Sequence, residues 1–247
     1  MDNNKCVNEN KWFLEFGDYK FDMKDDSNRE KSLALGRFLG YVASSGISRG
    51  HPKINENEIT VFACSTVDMN INSIVNMNNI ANDIELFTGE KAKIEEDLYM
   101  FNASHFNLPA PRGPTSTTWM GISTNDKFAK SFLKLPKSSY NYPDFLFDDN
   151  CPLVIIREFL GGNFGGDADY YKDEVRMPKD VDFLCIKKIQ FLMIKLNVDI
   201  ATEIYFNLKT GVIKNFMIKV INKDIFHENI GFRYRQKYVI ANTLIYI

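Results

Sequence analysis

The chain of 247 residues is poor in the residues that build extracellular or metal-stapled scaffolds, with four cysteines and three histidines. Cys6, Cys64, Cys151 and Cys185 lie far apart and form no CxxC pair, which excludes a dense disulfide framework or a zinc knuckle and favours a reducing compartment. His51, His105 and His227 are isolated from one another in the sequence and read as ordinary surface or core histidines. The opening MDNNKCVNEN has neither a basic n-region nor an apolar h-region, so no secretory signal is expected and an intracellular location is. Long hydrophobic runs are missing too. The most apolar stretches, such as Val154–Ile156 and Phe191–Ile194, are short and flanked by charge, so no membrane span is expected. Charge of one sign is also lacking: 30 Lys+Arg against 32 Asp+Glu leaves −2, which argues against binding nucleic acid by bulk charge. Several catalytic signatures are absent. GGNFGG is not followed by Gly-Lys-Ser/Thr, Ser44 and Ser45 lack a GxSxG elbow, and no EF-hand spacing of acids occurs. What is present is a 45% hydrophobic composition, enough for a real core in one large domain or two small ones.

The charge is unevenly distributed. From Tyr170 to the end, thirteen basic residues face eight acidic ones, an excess of five, while the first 169 residues carry seventeen against twenty-four. The C-terminal third is therefore able to face a polyanion, although a solvated helix face accounts for the same pattern.

Periodicity predicts a helix starting near Asp25–Asp26–Ser27, with Leu33, Leu35, Phe38, Leu39 and Val42 at helical spacing, and ending at Ser44–Ser45–Gly46. Ile59–Thr66 reads as a strand, and residues 47–58 can supply its partner and turn. Asp68–Phe87 reads as a helix ending near Gly89, Leu98–Phe106 as a strand, Asn107–Thr118 as a loop, and residues 127–135 as a helix. Pro136–Pro143 is the best domain boundary. A second long helix is expected over Pro152–Gly166, with Asn150 as its cap. Pro178–Leu196 reads as helical, Ile200–Asn207 and Val212–Ile221 as strands around Lys209–Thr210–Gly211, and the tail from Lys223 as mainly helical.

A weak internal repeat runs through these elements. RFLGYVASSG (Arg37–Gly46) and FLGGNFGGDA (Phe159–Ala168) align at a shift of 122 residues, matching Gly40 with Gly162 and Gly46 with Ala168. Each run ends an apolar helix and precedes further strands and helices, and small residues at this spacing let two helix backbones approach closely. Two similar α/β halves of about a hundred residues follow from that pattern, as does the simpler reading of two unrelated Gly-terminated helices.

The run REFLGGNFGGDAD (Arg157–Asp169) resembles the second motif of the LAGLIDADG, or dodecapeptide, homing endonucleases. LGRFLGYVASSG (Leu35–Gly46) resembles their first motif. DDNCPLVII before the second motif, FNLPAP (Phe106–Pro111) and FHENIGFRYRQKY (Phe226–Tyr238) extend the resemblance from about residue 30 to the C-terminus. It implies an α/β (α+β) fold of two pseudo-symmetric halves, each α-β-β-α-β-β-α, with the second half shortened. It also implies a division into an N-terminal extension (1–30), a first half (31–140) and a second half (141–247). The motif helices would pair, with Gly40, Gly46, Gly161, Gly162, Gly165 and Gly166 at the helix interface. In the family each motif helix delivers one carboxylate to the floor of a DNA-binding saddle, where two acids hold divalent metal between scissile phosphates. The curved sheets lie in the major groove and read base edges. The implied partner is double-stranded DNA, the implied cofactor Mg²⁺, and the implied assembly a monomer.

Carried over residue by residue, Asp167 is the motif-two acid and metal ligand, and the matching motif-one position is Ser45, whose neutral hydroxyl is a poor ligand for Mg²⁺. Ala168 replaces the usual glycine, and Asn163 stands where an apolar residue is usual. Arg235 or Lys237 is the expected basic residue near the scissile phosphate of the second half. Only ten residues separate Asp167 from Pro178, too few for two long strands at about 3.3 Å per residue, so the second-half hairpin is expected to be missing. Together these departures predict a family member with impaired cleavage. Other readings are an intron RNA-binding splicing factor on the same scaffold, a decaying remnant of a selfish element, and, from another class, a DxD glycosyltransferase using Asp167–Ala168–Asp169. The ends, Met1–Asp2 and Ile245–Tyr246–Ile247, show no autoprocessing residues, so a freestanding or intron-encoded frame is expected rather than an intein. Tyr170–Tyr171 and Phe232/Tyr234 can stack on bases or pack in the core.

Overall fold

The computed structural model describes residues 12–44, 53–54, 56–66, 71–97, 117–135, 142–171, 174–179 and 183–234. A hairpin comes first, β1 (Phe13–Phe16) and β2 (Tyr19–Asp22), turning at Gly17, whose φ of +56° suits glycine. Its alternating residues put Leu14, Phe16, Tyr19 and Phe21 inside. Phe16 stacks on Phe128 at 5.3 Å between ring centroids and lies 6.1 Å from Phe132. The polar, acidic look of residues 1–30 concealed this strand pair, whose apolar side completes the core around α3.

Helix α1 (Asp26–Ser44) begins where Asp25 Oδ1 accepts the Asn28 N–H at 2.8 Å, a side-chain cap for the first turn. The first half continues with β3 (Lys53–Ile54), β4 (Ile59–Thr66), α2 (Ile71–Thr88), β5 (Lys93–Asp97), β6 (Thr117–Ser123) and α3 (Asp126–Leu133). The strand expected at Leu98–Phe106 lies outside the described residues. The strand actually seen near it, β6, starts inside the stretch read as a loop, because neighbouring Pro, Gly and Ser masked the short alternating run TTWMGIS. β6 is nonetheless central, pairing antiparallel with both β4 and β5.

The second half follows the same plan. Helix α4 (Leu153–Asp167) is followed by β7 (Asp169–Tyr171), β8 (Glu174–Lys179), α5 (Phe183–Lys195), β9 (Ile200–Phe206), β10 (Ile213–Val220) and α6 (Lys223–Asn229). Two expectations are corrected here. Pro152, not Asn150, occupies the N-cap of α4 and makes no side-chain cap bond. The first turn is closed by the Ile155 N–H donating to the Pro152 carbonyl at 2.9 Å, while Asn150 turns back to Asp148. Nor is the second hairpin missing. Strands of three and six residues fit because only two residues of sequence lie between them, and Pro178 lies in β8 opposite Met217 rather than opening a helix.

Both four-stranded sheets are antiparallel and share one strand order: the first strand of the half, the second, the fourth, then the third (β3-β4-β6-β5 and β7-β8-β10-β9). This common order carries the repeat into the tertiary structure. Inward residues such as Val61 and Ile122, or Val175, Met177, Phe216 and Ile218, pack against the helices. Among the described residues, no helix is long and apolar enough to cross a membrane.

Candidate functional site

The site grows from the contact between α1 and α4. A Cβ on Gly40 would overlap the Phe159 carbonyl, and a Cβ on Gly162 would overlap the Arg37 carbonyl. These are two separate contacts that the internal repeat makes equivalent, since Gly40 and Gly162, like Arg37 and Phe159, are 122 residues apart. Glycine is required at both because backbone meets backbone there. One turn further on, Gly166 leaves room for Ser44, whose hydroxyl donates to the Tyr41 carbonyl at 2.7 Å. Asn163 sits fully buried in the seam and donates through Nδ2 to the Gly40 carbonyl at 3.2 Å. That bond explains how an amide is tolerated among apolar neighbours, although its Oδ1 has no partner.

Gly161 and Gly165 have a different role from the one the motif suggests. They face the segment 231–233 rather than α1: a Cβ on Gly165 would overlap the Arg233 carbonyl, and the Arg233 N–H donates to the Gly161 carbonyl at 2.9 Å. The glycines of α4 thus serve two partners, one helix and one loop, on opposite sides.

Asp167 is the last helical residue of α4, followed by Ala168, which is extended (φ −75°, ψ 142°) and nearly buried. Because Ser44 packs at Gly166, the C-terminal ends of α1 and α4 meet one residue before Ser45 and Asp167 in the sequence. Ser45 and Gly46 lie outside the described residues, as do Arg235, Lys237, His51 and His105. The negative ends of two helix dipoles meet there, which favours a cation. The Asp167 carboxylate is a hard oxygen donor by its chemistry, of the kind Mg²⁺ accepts. Among the described residues no three His, Cys, Asp or Glu side chains cluster as a ready-made metal cage.

Behind the seam lies a charge network that sequence reading missed. Arg37, on α1, donates through Nε and NH2 to both Asp83 oxygens of α2 at 2.9 and 2.7 Å, and through NH1 to Glu158 Oε2 of α4 at 3.0 Å. Arg233 grips the same Glu158 with Nε at 3.1 Å and NH2 at 2.8 Å. Tyr234 donates its hydroxyl to Asp83 and sets its ring edge-on to Tyr41, 5.5 Å between centroids. Burial pushes the Tyr234 hydroxyl well above its ordinary pKa, with the Asp83 charge adding to the effect. Burial alone would raise the Glu158 carboxyl, but Arg233 and Arg37 outweigh it and hold the group below the usual range. Burial likewise opposes the charge on Arg37, and Asp83 and Glu158 more than compensate. Tyr234 is therefore a core residue and not a stacking platform. His227 lies in an aromatic cluster, 5.5 Å from Phe226 and 5.7 Å from Phe232 between ring centroids.

The outward face of the second sheet carries Glu174 and Arg176 on β8, Lys219 on β10, and Glu203 and Tyr205 on β9, all on one side by register. Arg176 pairs with Glu174, and Lys219 with Glu203 at 2.6 Å. Arg176 holds the Glu174 carboxyl below the usual range, and Lys219 does the same for Glu203.

Paired helices joined through a glycine seam, flanked by two sheets of identical strand order, define a homing-endonuclease-like α/β fold. Among solved structures, a doubly substituted variant of the homing endonuclease I-DmoI, in complex with its nicked target DNA in the presence of Mn, matches at a TM-score of 0.50 and 13% identity. That match covers 81% of this chain and 96% of the other. A second I-DmoI variant, in complex with target DNA and Mn, matches at 0.47 and 13%, covering 81% and 94%. The homing endonuclease I-WcaI bound to its DNA recognition sequence matches at 0.43 and 14%, covering 81% and 80%. No family model matches the chain, and no curated protein does.

Proposed function

We propose that the chain is a site-specific double-stranded DNA-binding protein of the homing-endonuclease type, with metal-dependent cleavage impaired on one strand. The observation that carries this reading is the meeting of the α1 and α4 C-termini at Ser44 and Gly166, directly before Ser45 and Asp167. That geometry suits two acids from two halves acting side by side, and this chain has an acid in only one of the two places. Asp167 would hold Mg²⁺ through its carboxylate, with carbonyls of the helix ends as further oxygen donors. The metal would supply charge neutralisation at a scissile phosphate and an activated water. Ser45 brings no charge to its position, so the half-site it serves binds metal weakly. Arg235 and Lys237 follow directly on the clamped Arg233–Tyr234 pair, and we assign them the role of contacting the phosphates near Asp167. Base reading is assigned to the outward sheet faces.

The test is incubation with a plasmid library of candidate insertion sites in Mg²⁺. The expected products are nicks in one strand that vanish in Asp167→Asn. Efficient double-strand cuts by the wild-type chain would overturn the impaired reading, and tight binding to intron RNA without binding to duplex DNA would overturn the DNA reading.

A further inference from the structure

We infer that the outward face of the second sheet is a base-reading surface with little affinity for phosphate, in which Glu174 and Glu203 restrain Arg176 and Lys219 and offer their own oxygens to exocyclic amines in the major groove, cytosine N4 first. The inference rests on the proposed DNA binding and goes beyond it in naming what this half recognises. Strand alternation creates the face. Val175, Met177, Phe216, Ile218 and Val220 turn inward, so Glu174, Arg176, Lys219, Glu203 and Tyr205 turn outward together.

The two signs are not level on that face. The acidic side chains are 46% and 41% exposed (Glu174 and Glu203), whereas the basic ones are only 21% and 22% (Arg176 and Lys219). The carboxylates therefore form the outer layer and the cations the inner one. Arg176 donates through Nε at 2.7 Å and through NH2 to a single oxygen, Glu174 Oε2, and Lys219 approaches the same oxygen at 3.7 Å. Glu203 is fixed from both sides, Oε1 by Lys219 and Oε2 by the Tyr205 hydroxyl at 2.9 Å, and a carboxylate oxygen has capacity for a second donor. With Asp169 of β7 placed opposite Arg176 by register, the acidic residues of this face outnumber Arg176 and Lys219, so it has no net pull on a phosphate backbone. A layer of pre-oriented acceptors does suit donors, and the major groove presents amine donors at cytosine N4 and adenine N6, of which a carboxylate pairs best with the cytosine amine.

The experiment is site selection from a randomised duplex library, with a salt titration of the selected duplex, for wild type and the Glu174→Gln/Glu203→Gln double variant. These side chains are exposed, so an unchanged melting temperature serves as the folding control. Wild type is expected to select C·G at one or more positions. The double variant should lose that preference by about tenfold and drift toward A·T, since glutamine reads adenine. Its log–log salt slope should steepen by roughly 1, as the Lys219 charge is released to a phosphate at about 0.9 while Arg176 still faces Asp169 across the β7–β8 pair. A selected site whose base preferences and salt slope are untouched by the two substitutions overturns this inference alone. Failure of wild type and variant alike to select any duplex overturns the DNA-binding reading, and the inference with it.

Discussion

Alanine replacement at Gly36, Gly40 and Gly162, one position at a time, gives three chemically identical changes in one helix pair with opposite expected signs. Each replacement gains about 1 kcal/mol of helix propensity. At Gly36 the new Cβ stands 3.5 Å from the Ile155 carbonyl and 3.8 Å from Glu158 Cβ, ordinary van der Waals distances. Gly36→Ala should therefore stabilise the protein by about 1 kcal/mol, or roughly 2–4 °C in melting temperature for a chain of this size. At Gly40 and Gly162 the Cβ would overlap a backbone carbonyl of the facing helix, and no rotamer change can relieve that. The helices must part, and overpacking of this kind costs about 1–3 kcal/mol, before the seam's other contacts, including the Asn163–Gly40 hydrogen bond, are lost. Net destabilisation of about 2 kcal/mol is expected for each. One separation relieves both overlaps, so the Gly40→Ala/Gly162→Ala double variant should fall short of the sum of its parts. Urea unfolding midpoints with shared slopes measure all four variants. If Gly40→Ala lies within about 0.5 kcal/mol of Gly36→Ala, the backbone seam does not exist as described.

Glu158→Gln leaves Arg37 and Arg233 facing a neutral amide in a poorly solvated site, and a loss of about 3 kcal/mol is expected in denaturant unfolding. The Glu158 carboxyl has its pKa depressed in the folded state. Its contribution is therefore full above the unfolded carboxylate range near 4.3 and disappears as pH falls through the lower folded value, so wild type should lose more stability than Glu158→Gln on acidification. Phe16→Ala removes the ring stacked on Phe128 and should cost about 3 kcal/mol, showing by thermal unfolding that the N-terminal hairpin belongs to the core; a change under 1 kcal/mol would make the hairpin dispensable. Ser45→Asp restores a charge to the motif-one position and should convert nicking into double-strand cutting in Mg²⁺, read on a supercoiled plasmid. No gain over wild type would remove Ser45 as the cause of impairment.

Cys151 offers a chemical check on packing. Burial pushes its thiol up to about 12, so almost no thiolate exists near neutral pH and alkylation of Cys151 should be slow until the protein unfolds.

Periodicity and local chemistry were enough to place α1, α2, α4, β4, β9 and β10, and the glycine pattern was enough to suggest that α1 and α4 pair. These are short-range properties: apolar residues every three or four positions, β-branched alternation, and a cap or a glycine at the end. Asp167 and Ser45 were singled out as candidates for the same reason, since each sits at a fixed place in a contiguous run. The hairpin β1–β2 was hidden because its two strands are only four residues each and mean composition averages them away. β8 was misread because Pro178 is compatible with a helix start, and only pairing with β10 reveals an extended chain there. The division of the glycines between two partners also appeared only in three dimensions. Gly161 and Gly165 look like their neighbours Gly162 and Gly166 in the motif, yet they face the loop around Arg233.

The network around Glu158 marks the boundary between the two kinds of information. The sequence determined that Arg37 and Glu158 lie on helices, but not that they touch, nor that Asp83 and Arg233 join them across 46 and 75 residues. Helix and strand propensities are decided within a few residues by backbone geometry, whereas a buried ion pair depends on which helix faces meet and how closely they pack. At α1 and α4 that closeness comes from backbone contact at Gly40 and Gly162, and it is this tertiary contact that gathers the four charges and brings the two helix ends together before Ser45 and Asp167.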